Sequence, residues 1–202
     1  TGTAPAPGRM LSAHESQHAL LRAVGVDPDL PPAQSRDPLP LDLSQMSRLL
    51  DNTPGLRHHA DRCRDRQGTT ALGVAAHLGR IEAMQMLLEH GASVESENLD
   101  GATPLSMACF GKSGAAMAVL LIYGGDELDI HDALADAQAM AAEEVVAVLE
   151  AWSNGDYHPL LAHAERRYEE SAPALRDLER AQTAVQSFRL AIEDRAGKED
   201  WE

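Results

Sequence analysis

One segment of the chain is repeated at an offset of 33 residues, and this repeat restricts the possible folds more than any other feature. Residues 65–92 align with residues 98–125 without a gap. A period of this length is typical of proteins in which one supersecondary unit stacks on the next. The repeat therefore predicts a stack of similar units. The identical pairs are Gly68/Gly101, Thr70/Thr103, Leu72/Leu105, Ala75/Ala108, Ala83/Ala116, Met84/Met117, Leu87/Leu120, Leu88/Leu121 and Gly91/Gly124.

The repeated positions have the residue types that a pair of helices requires. Gly68 and Gly101 are predicted to lie in tight turns with positive φ, which glycine adopts without strain. Thr70 and Thr103 stand where a helix needs an N-cap. Apolar residues at helical spacing then predict a short first helix and a longer second helix. The last identical pair, both glycines, is expected to end the second helix in a left-handed cap.

Composition agrees with packed helices and disfavours several classes of function. Hydrophobic residues make up 44% of the chain but aromatic residues only 3%, which favours closely packed helices over twisted sheets. The net charge of −15 predicts no binding of nucleic acid or of anionic membranes. No apolar stretch is long enough to span a membrane. With only two cysteines, we expect reduced thiols and a cytoplasmic protein, secretion as an effector remaining open.

The two copies resemble the ankyrin repeat. The second copy reads Asp100-Gly101-Ala102-Thr103-Pro104-Leu105, and a pair of leucines and a glycine follow at the family's spacing. Both copies lack the histidine that the family usually places after the leucine, since Gly73 and Ser106 occupy that position. The resemblance implies an all-α ankyrin-repeat helical solenoid, which we expect to carry N-terminal and C-terminal helical extensions.

The same register extends weakly to both sides of the two clear copies. Residues 10–25 are predicted to form a helix, which we interpret as the displaced first helix of an N-terminal unit. Asp132 is expected to cap the first helix of a degenerate unit. The C-terminal helices either cap the stack or bind a partner or a second copy. The predicted organisation begins with a tail, a helix and a Pro-rich linker at 1–40. The repeat stack follows at 41–155, with clear repeats at 65–97 and 98–130 and a degenerate repeat at 131–155. C-terminal helices are predicted at 156–202.

The resemblance implies recognition of another protein and no reaction, so we expect a non-enzymatic module without cofactor. It could act as an adaptor, inhibitor or immunity-type protein of bacterial origin. The alternative is the interaction domain of a larger bacterial effector enzyme. Family contacts lie on a concave surface of turns and first helices, and Phe110 and Arg66 are the preferred anchors, although Phe110 could instead pack on the next repeat. Carried over position by position, the contacts are Arg66, Gln67, Thr69, His77, Leu78, Leu99, Asp100, Ala102 and Phe110.

A basic run at residues 57–66 interrupts the acidic chain just before the first repeat. Arg62 and Arg64 belong to this run together with Arg66. One interpretation is a docking patch for an acidic region of the partner. The other is a solvated loop in which Asp61 and Asp65 form local ion pairs with the arginines.

Other sequence patterns are only weak indications of a catalytic, phosphate-binding or metal-binding site. His14-Glu15-Ser16-Gln17-His18 matches H-E-x-x-H, so a zinc hydrolase using His14, Glu15 and His18 is a weak alternative. The triplet at 111–113 resembles the end of a phosphate-binding loop, but it falls on the turn between two helices of the repeat. His58, His59 and Cys63 lack a second group of ligands. We therefore predict no bound metal.

Overall fold

The structure is a computed structural model that describes residues 12–28, 39–53, 56, 60–124 and 130–156. Within these ranges the chain forms helices and no β-strand, which confirms the all-α class. A single 3-10 turn lies at Ala60–Arg62. The α-helices are α1 (Ala13–Val24), α2 (Leu43–Asn52), α3 (Ala71–His77), α4 (Ile81–Glu89), α5 (Pro104–Phe110), α6 (Gly114–Gly124), α7 (Ile130–Ala139) and α8 (Glu143–Ser153).

The helices pack as four consecutive pairs. Each odd-numbered helix packs on the even-numbered helix that follows it in the chain. The first helices α1, α3, α5 and α7 form one row, and the second helices α2, α4, α6 and α8 form a parallel row. The pair α1–α2 thus packs on the first clear repeat, and α7–α8 packs on the second. The described chain is a helical solenoid of two layers.

Short polar side chains start the first helices as the sequence predicts. The Thr70 hydroxyl accepts a hydrogen bond from the backbone N–H of Gly73 at 3.1 Å, and Thr103 caps α5 in the same way. The preceding turn glycines, Gly68 and Gly101, have φ angles of +76° and +78°. Both features repeat at 33 residues because the same side-chain chemistry repeats at that offset.

Two predicted helix ends are wrong. α6 includes Gly124 as its last helical residue, so this glycine is not a left-handed cap outside the helix. Gly91 does have a positive φ, +76°. α7 begins at Ile130, and Asp132 lies in its first turn rather than at its N-cap. An acidic residue in that turn still interacts favourably with the helix dipole.

The second clear repeat lies at the centre of the core. Every residue from Gly114 to Leu121 is buried, so α6 has no solvent-facing side over these two turns. The helices α4, α5 and α8 cover it on three sides. A helix that is apolar all round is stable only when neighbours surround it.

The residues that follow α1 are bonded to the residues that precede α2. Gly25 is the C-cap of α1, and its carbonyl accepts a hydrogen bond from the Leu39 N–H at 2.8 Å. The Leu39 carbonyl accepts one from Arg80 Nη2 at 2.5 Å. These bonds join the C-terminal end of α1 to the residues before α2 and to the first repeat. Residues 29–38 lie outside the described residues, as do 157–202, where the C-terminal helices are predicted.

Both cysteines are free and completely buried. Burial, with the nearby charge of Asp61, raises the pKa of Cys63 to about 12. Burial, with the charge of Asp136, raises the pKa of Cys109 to about 11. Because the thiolate is the reactive form, both thiols are unreactive in the folded stack near neutral pH.

We expect neither cysteine to react with a thiol reagent near neutral pH until the stack unfolds. The reagent should label both sites rapidly in denaturant, and mass spectrometry should count two labels only there. Because the fold disfavours the buried thiolates, its stability is full below the unfolded pKa of 9.0 and falls as pH rises toward 11 to 12. Rapid labelling of either cysteine without denaturant would contradict the buried positions.

Candidate functional site

The turn before each first helix, here called a finger, is built by one side chain. Asp65 Oδ1 accepts hydrogen bonds from the backbone N–H groups of Gln67 and Thr69, both at 2.9 Å. Asn98 makes the equivalent pair of bonds one repeat later, at 2.9 and 2.8 Å. An Asp or Asn at this position can close such a turn because its side-chain oxygen reaches the N–H two residues ahead.

The two fingers are bonded to each other. The Leu99 N–H donates to the Gln67 carbonyl at 2.9 Å. Arg64 Nη1 donates to the carbonyl oxygens of Gly68, at 2.7 Å, and Glu97, at 2.6 Å. Arg64 therefore joins the first finger to the start of the second. The charged Arg64 side chain therefore stabilises the contact between the two repeats, a role that the sequence did not predict.

Replacing Arg64 with alanine should lower the free energy of unfolding by about 1–2 kcal/mol, since hydrogen bonds from a charged donor to two carbonyls are lost. Urea denaturation followed by circular dichroism measures the loss. Arg66→Ala is the matched control, because Arg66 is exposed and forms no hydrogen bond or ion pair within the described residues. An equal loss in the two variants would show that the Arg64 bridge does not stabilise the stack.

The two aspartates of the basic run bond to backbone groups rather than to arginines. Both carboxylate oxygens of Asp61 accept from the Ser93 N–H, at 2.9 and 3.1 Å. The Asp65 carboxylate accepts its hydrogen bonds from backbone N–H groups within the first finger. In the described part of the chain, no carboxylate lies within ion-pair distance of Arg62 or Arg66. The interpretation of Asp61 and Asp65 as local ion-pair partners is therefore wrong.

The described arginines of the basic run differ in what their side chains bond to. Arg62 precedes Glu95 by one repeat, and Glu95 lines a cavity of about 320 Å³ with Leu88 and Tyr123 from the second-helix row. Arg62 ends the 3-10 turn that precedes the first finger, and it is exposed. With Arg64 bonded between the fingers, Arg66 is the arginine of this group that remains at the finger tip, exposed to solvent.

We define the concave face as the finger turns 65–70 and 98–103 with the exposed sides of α3, α5 and α7. Two large apolar side chains are exposed on it. Leu99 is 79% exposed, and it lies over the first finger, within 3.0 Å of where a Cβ of Gly68 would be. Phe110 is 51% exposed at the end of α5. Phe110 is thus not buried by the next repeat.

The remaining predicted contact residues divide by exposure. Gln67, His77 and Asp100 are exposed, while Leu78 and Ala102 are half-buried. Thr69 is only 3% exposed, since its methyl group packs against the backbone of Gly73. The side chain of Thr69 is therefore not available on the surface.

The H-E-x-x-H segment forms a helix start. Ser12 and Glu15 make a reciprocal capping box, in which Glu15 Oε2 accepts from the Ser12 N–H at 2.8 Å. The rings of His14 and His18 lie with centroids 4.0 Å apart. Among the residues that the structure describes, no group of three potential ligands could hold a metal ion. Lys112 lies in the turn between α5 and α6, as the repeat register predicts.

Comparison with known families agrees with this architecture. The family model described as ankyrin repeats (3 copies) matches residues 43–132, which covers both fingers and the helices α2 to α6. Residues 43–132 are ankyrin repeats. Ankyrin repeats are in general non-catalytic modules that bind other proteins. The helices α1 and α8 lie outside the matched residues and extend the ankyrin stack at its two ends.

Curated relatives match about a third of this chain. Mouse inactive serine/threonine-protein kinase TEX14 is 38% identical over 66 residues, which is 33% of this chain and 4% of that protein. Human Rabankyrin-5 is 34% identical over 67 residues, 33% of this chain and 6% of that protein. This chain thus spans a small part of either relative. No solved structure matches significantly. No helix of the described ranges has the length and apolar character needed to cross a membrane.

Proposed function

We propose that the ankyrin stack is a non-enzymatic module whose concave face binds a partner protein, with Leu99, Phe110 and Arg66 as the main contacts. The exposure of Leu99 and Phe110 carries this proposal. Both are large apolar side chains exposed to water in a chain with few aromatics, and Arg66 is exposed at the tip of the first finger, over which Leu99 lies. Apolar and Arg anchors of this kind dominate the energy of many interfaces.

The biological role that we propose is that of an adaptor, inhibitor or immunity-type protein in a bacterial cytoplasm. Two free, buried cysteines agree with a reducing compartment. The second candidate is the interaction domain of a larger effector enzyme. It is favoured by the relatives, in which a stretch similar to this chain makes up only 4% and 6% of the protein.

The test is a double variant, Arg66→Glu with Phe110→Ala. Affinity purification with quantitative mass spectrometry should show that partners retained by the parent protein fall by about tenfold or more, because the charge is reversed and the apolar anchor is removed. Far-UV circular dichroism should remain unchanged, since both side chains are exposed.

The matched control is Arg48→Glu with Tyr123→Ala. Arg48 and Tyr123 are also an exposed arginine and an exposed aromatic residue, but they lie on the second helices α2 and α6. The control should retain the same partners as the parent protein. Equal retention by the concave-face variant would refute this face as the binding site.

A further inference from the structure

The last helix pair differs from the two clear repeats in what covers it. The helices α5 and α6 pack on α3 and α4, and α7 and α8 pack in the same way on α5 and α6. Within the described ranges, α8 is the final helix, so no later pair packs on α7 and α8. Each helix pair of a solenoid buries its apolar surface against its neighbours. The last pair is therefore expected to have apolar surface without a cover.

Three register positions identify this surface, because they are buried in both clear repeats and more exposed in the last pair. In the clear repeats, none of these positions is more than 6% exposed. In the last pair, Leu134 and Val146 are half-buried and Ala147 is exposed. We call the surface formed by these three residues the terminal face. The matching sets, at offsets of 33 and then 29 residues, are Leu72/Leu105/Leu134, Met84/Met117/Val146 and Gln85/Ala118/Ala147.

The opposite end of the stack has no comparable surface. On α1 and α2, the described side chains that are exposed are all polar, as the outer side of a solvated end unit requires. These exposed residues are His14, Glu15 and Arg22 of α1 and Ser44, Gln45, Arg48, Asp51 and Asn52 of α2. The terminal face is apolar, although Glu143 and Glu150 are exposed one turn away from it on α8. The terminal face is thus the end of the stack that needs a cover.

The turn after α8 directs the following chain as the turn after α4 does. Gly155 has a φ of +69°, and the Asp156 N–H donates to the Ala151 carbonyl at 2.9 Å. The end of α4 has the same two features, with a φ of +76° at Gly91 and a bond of 3.0 Å from the N–H of the next residue. After α4 the chain continues into the repeat that packs on it. Because the two C-caps have the same geometry, the chain leaves α8 toward the position of a following unit.

We propose that residues 171–196 of the same chain dock on the terminal face. The sequence continues from Asp156 to residue 202, which is more than one repeat of 33 residues. Apolar residues recur at helical spacing in this segment, a pattern that predicts an amphipathic helix with one apolar side. Docking of that side would bury the terminal face and leave the concave face free for the partner. The apolar residues of the segment are Leu175, Leu178, Ala181, Val185, Phe188 and Ile192.

Hydrogen–deuterium exchange of the full chain, measured by mass spectrometry, tests the proposal. In the parent protein, the amides of residues 171–196 should exchange at least about tenfold more slowly than those of an unfolded chain, because a docked helix opens rarely. Ala147→Arg puts a long charged side chain on the terminal face and should make these amides exchange about tenfold faster. Since Ala147 is exposed, far-UV circular dichroism of the stack should change little.

The matched control is Ala139→Arg, which changes another exposed alanine of the last pair. Ala139 has the register of His77 and Phe110, which are exposed in the clear repeats as well. It therefore lies outside the terminal face, and the control should exchange like the parent protein.

Leu178→Asp tests the contact from its other side and changes no residue of the described stack. It should speed exchange in residues 171–196 and also in α8, because α8 loses its cover. If exchange in α8 stays at the parent rate, the proposal is wrong, even if Ala147→Arg does not fold.

Sedimentation velocity distinguishes this occupant from a second copy. The parent protein should sediment as a monomer. A parent dimer that Ala147→Arg dissociates would mean that a second copy covers the terminal face, and the proposal would then be wrong. It is also overturned if residues 171–196 exchange like an unfolded chain in the parent protein, or if Ala147→Arg leaves their exchange unchanged.

Discussion

Replacing Gly111 with alanine is expected to destabilise the stack by about 3 kcal/mol, because overpacking against backbone cannot be relieved by moving a side chain. Gly111 follows α5, and a Cβ added there would overlap the carbonyl oxygen of His77 and lie 3.0 Å from the His77 Cα. Its φ of −74° is ordinary. The glycine is therefore required by the close approach of α5 to the end of α3.

The measurement is urea denaturation of Gly111→Ala beside Gly101→Ala. Gly101 also lies in the second clear repeat, but a Cβ at Gly101 meets nothing within 4 Å. Its cost should be limited to the positive φ of +78°, about 1–2 kcal/mol. If the two variants lost equal stability, the two repeats would not be packed as closely as the structure has them.

Leu121→Ala is expected to lower the free energy of unfolding by about 3 kcal/mol, within the range of 2–5 for a buried leucine. The side chain of Leu121 is 0% exposed on α6, the helix that neighbours surround. Truncation leaves a cavity at the centre of the stack, where it weakens the contacts of the second repeat with both of its neighbours.

Leu88→Ala is the matched control, since Leu88 occupies the same register one repeat earlier. Leu88 is half-buried and lines the cavity beside Tyr123. Its truncation removes less buried surface, so the loss should be at least about 1 kcal/mol smaller than that of Leu121→Ala. Equal losses, measured by urea denaturation, would mean that the two leucines are equally buried in solution.

The candidate site could be predicted only in part. The repeat register placed Leu99 and Phe110 at contact positions, and both are exposed on the concave face. The same register also selected Thr69, which packs inward. The family position alone does not distinguish these cases, because the exposure of one side chain depends on what the neighbouring unit places against it.

Local chemistry accounts for the parts of the fold that the sequence predicted correctly. A threonine cap and a turn glycine act within four residues of chain, so Thr70, Thr103, Gly68 and Gly101 could be interpreted without knowledge of the rest of the molecule. The period of 33 residues then specified a stack of helix pairs, because such pairs bury their apolar faces only against each other.

Contacts between units were decided by the tertiary structure alone. The sequence shows a run of arginines near Asp61, but packing directs the Asp61 carboxylate to the backbone N–H of Ser93 and joins Arg64 to both fingers. Likewise Leu88 and Leu121 are identical in the pattern and differ in burial. The partner atoms of Asp61 and Arg64 lie 32 and 33 residues further along the chain, and a one-dimensional pattern contains no measure of that distance in space.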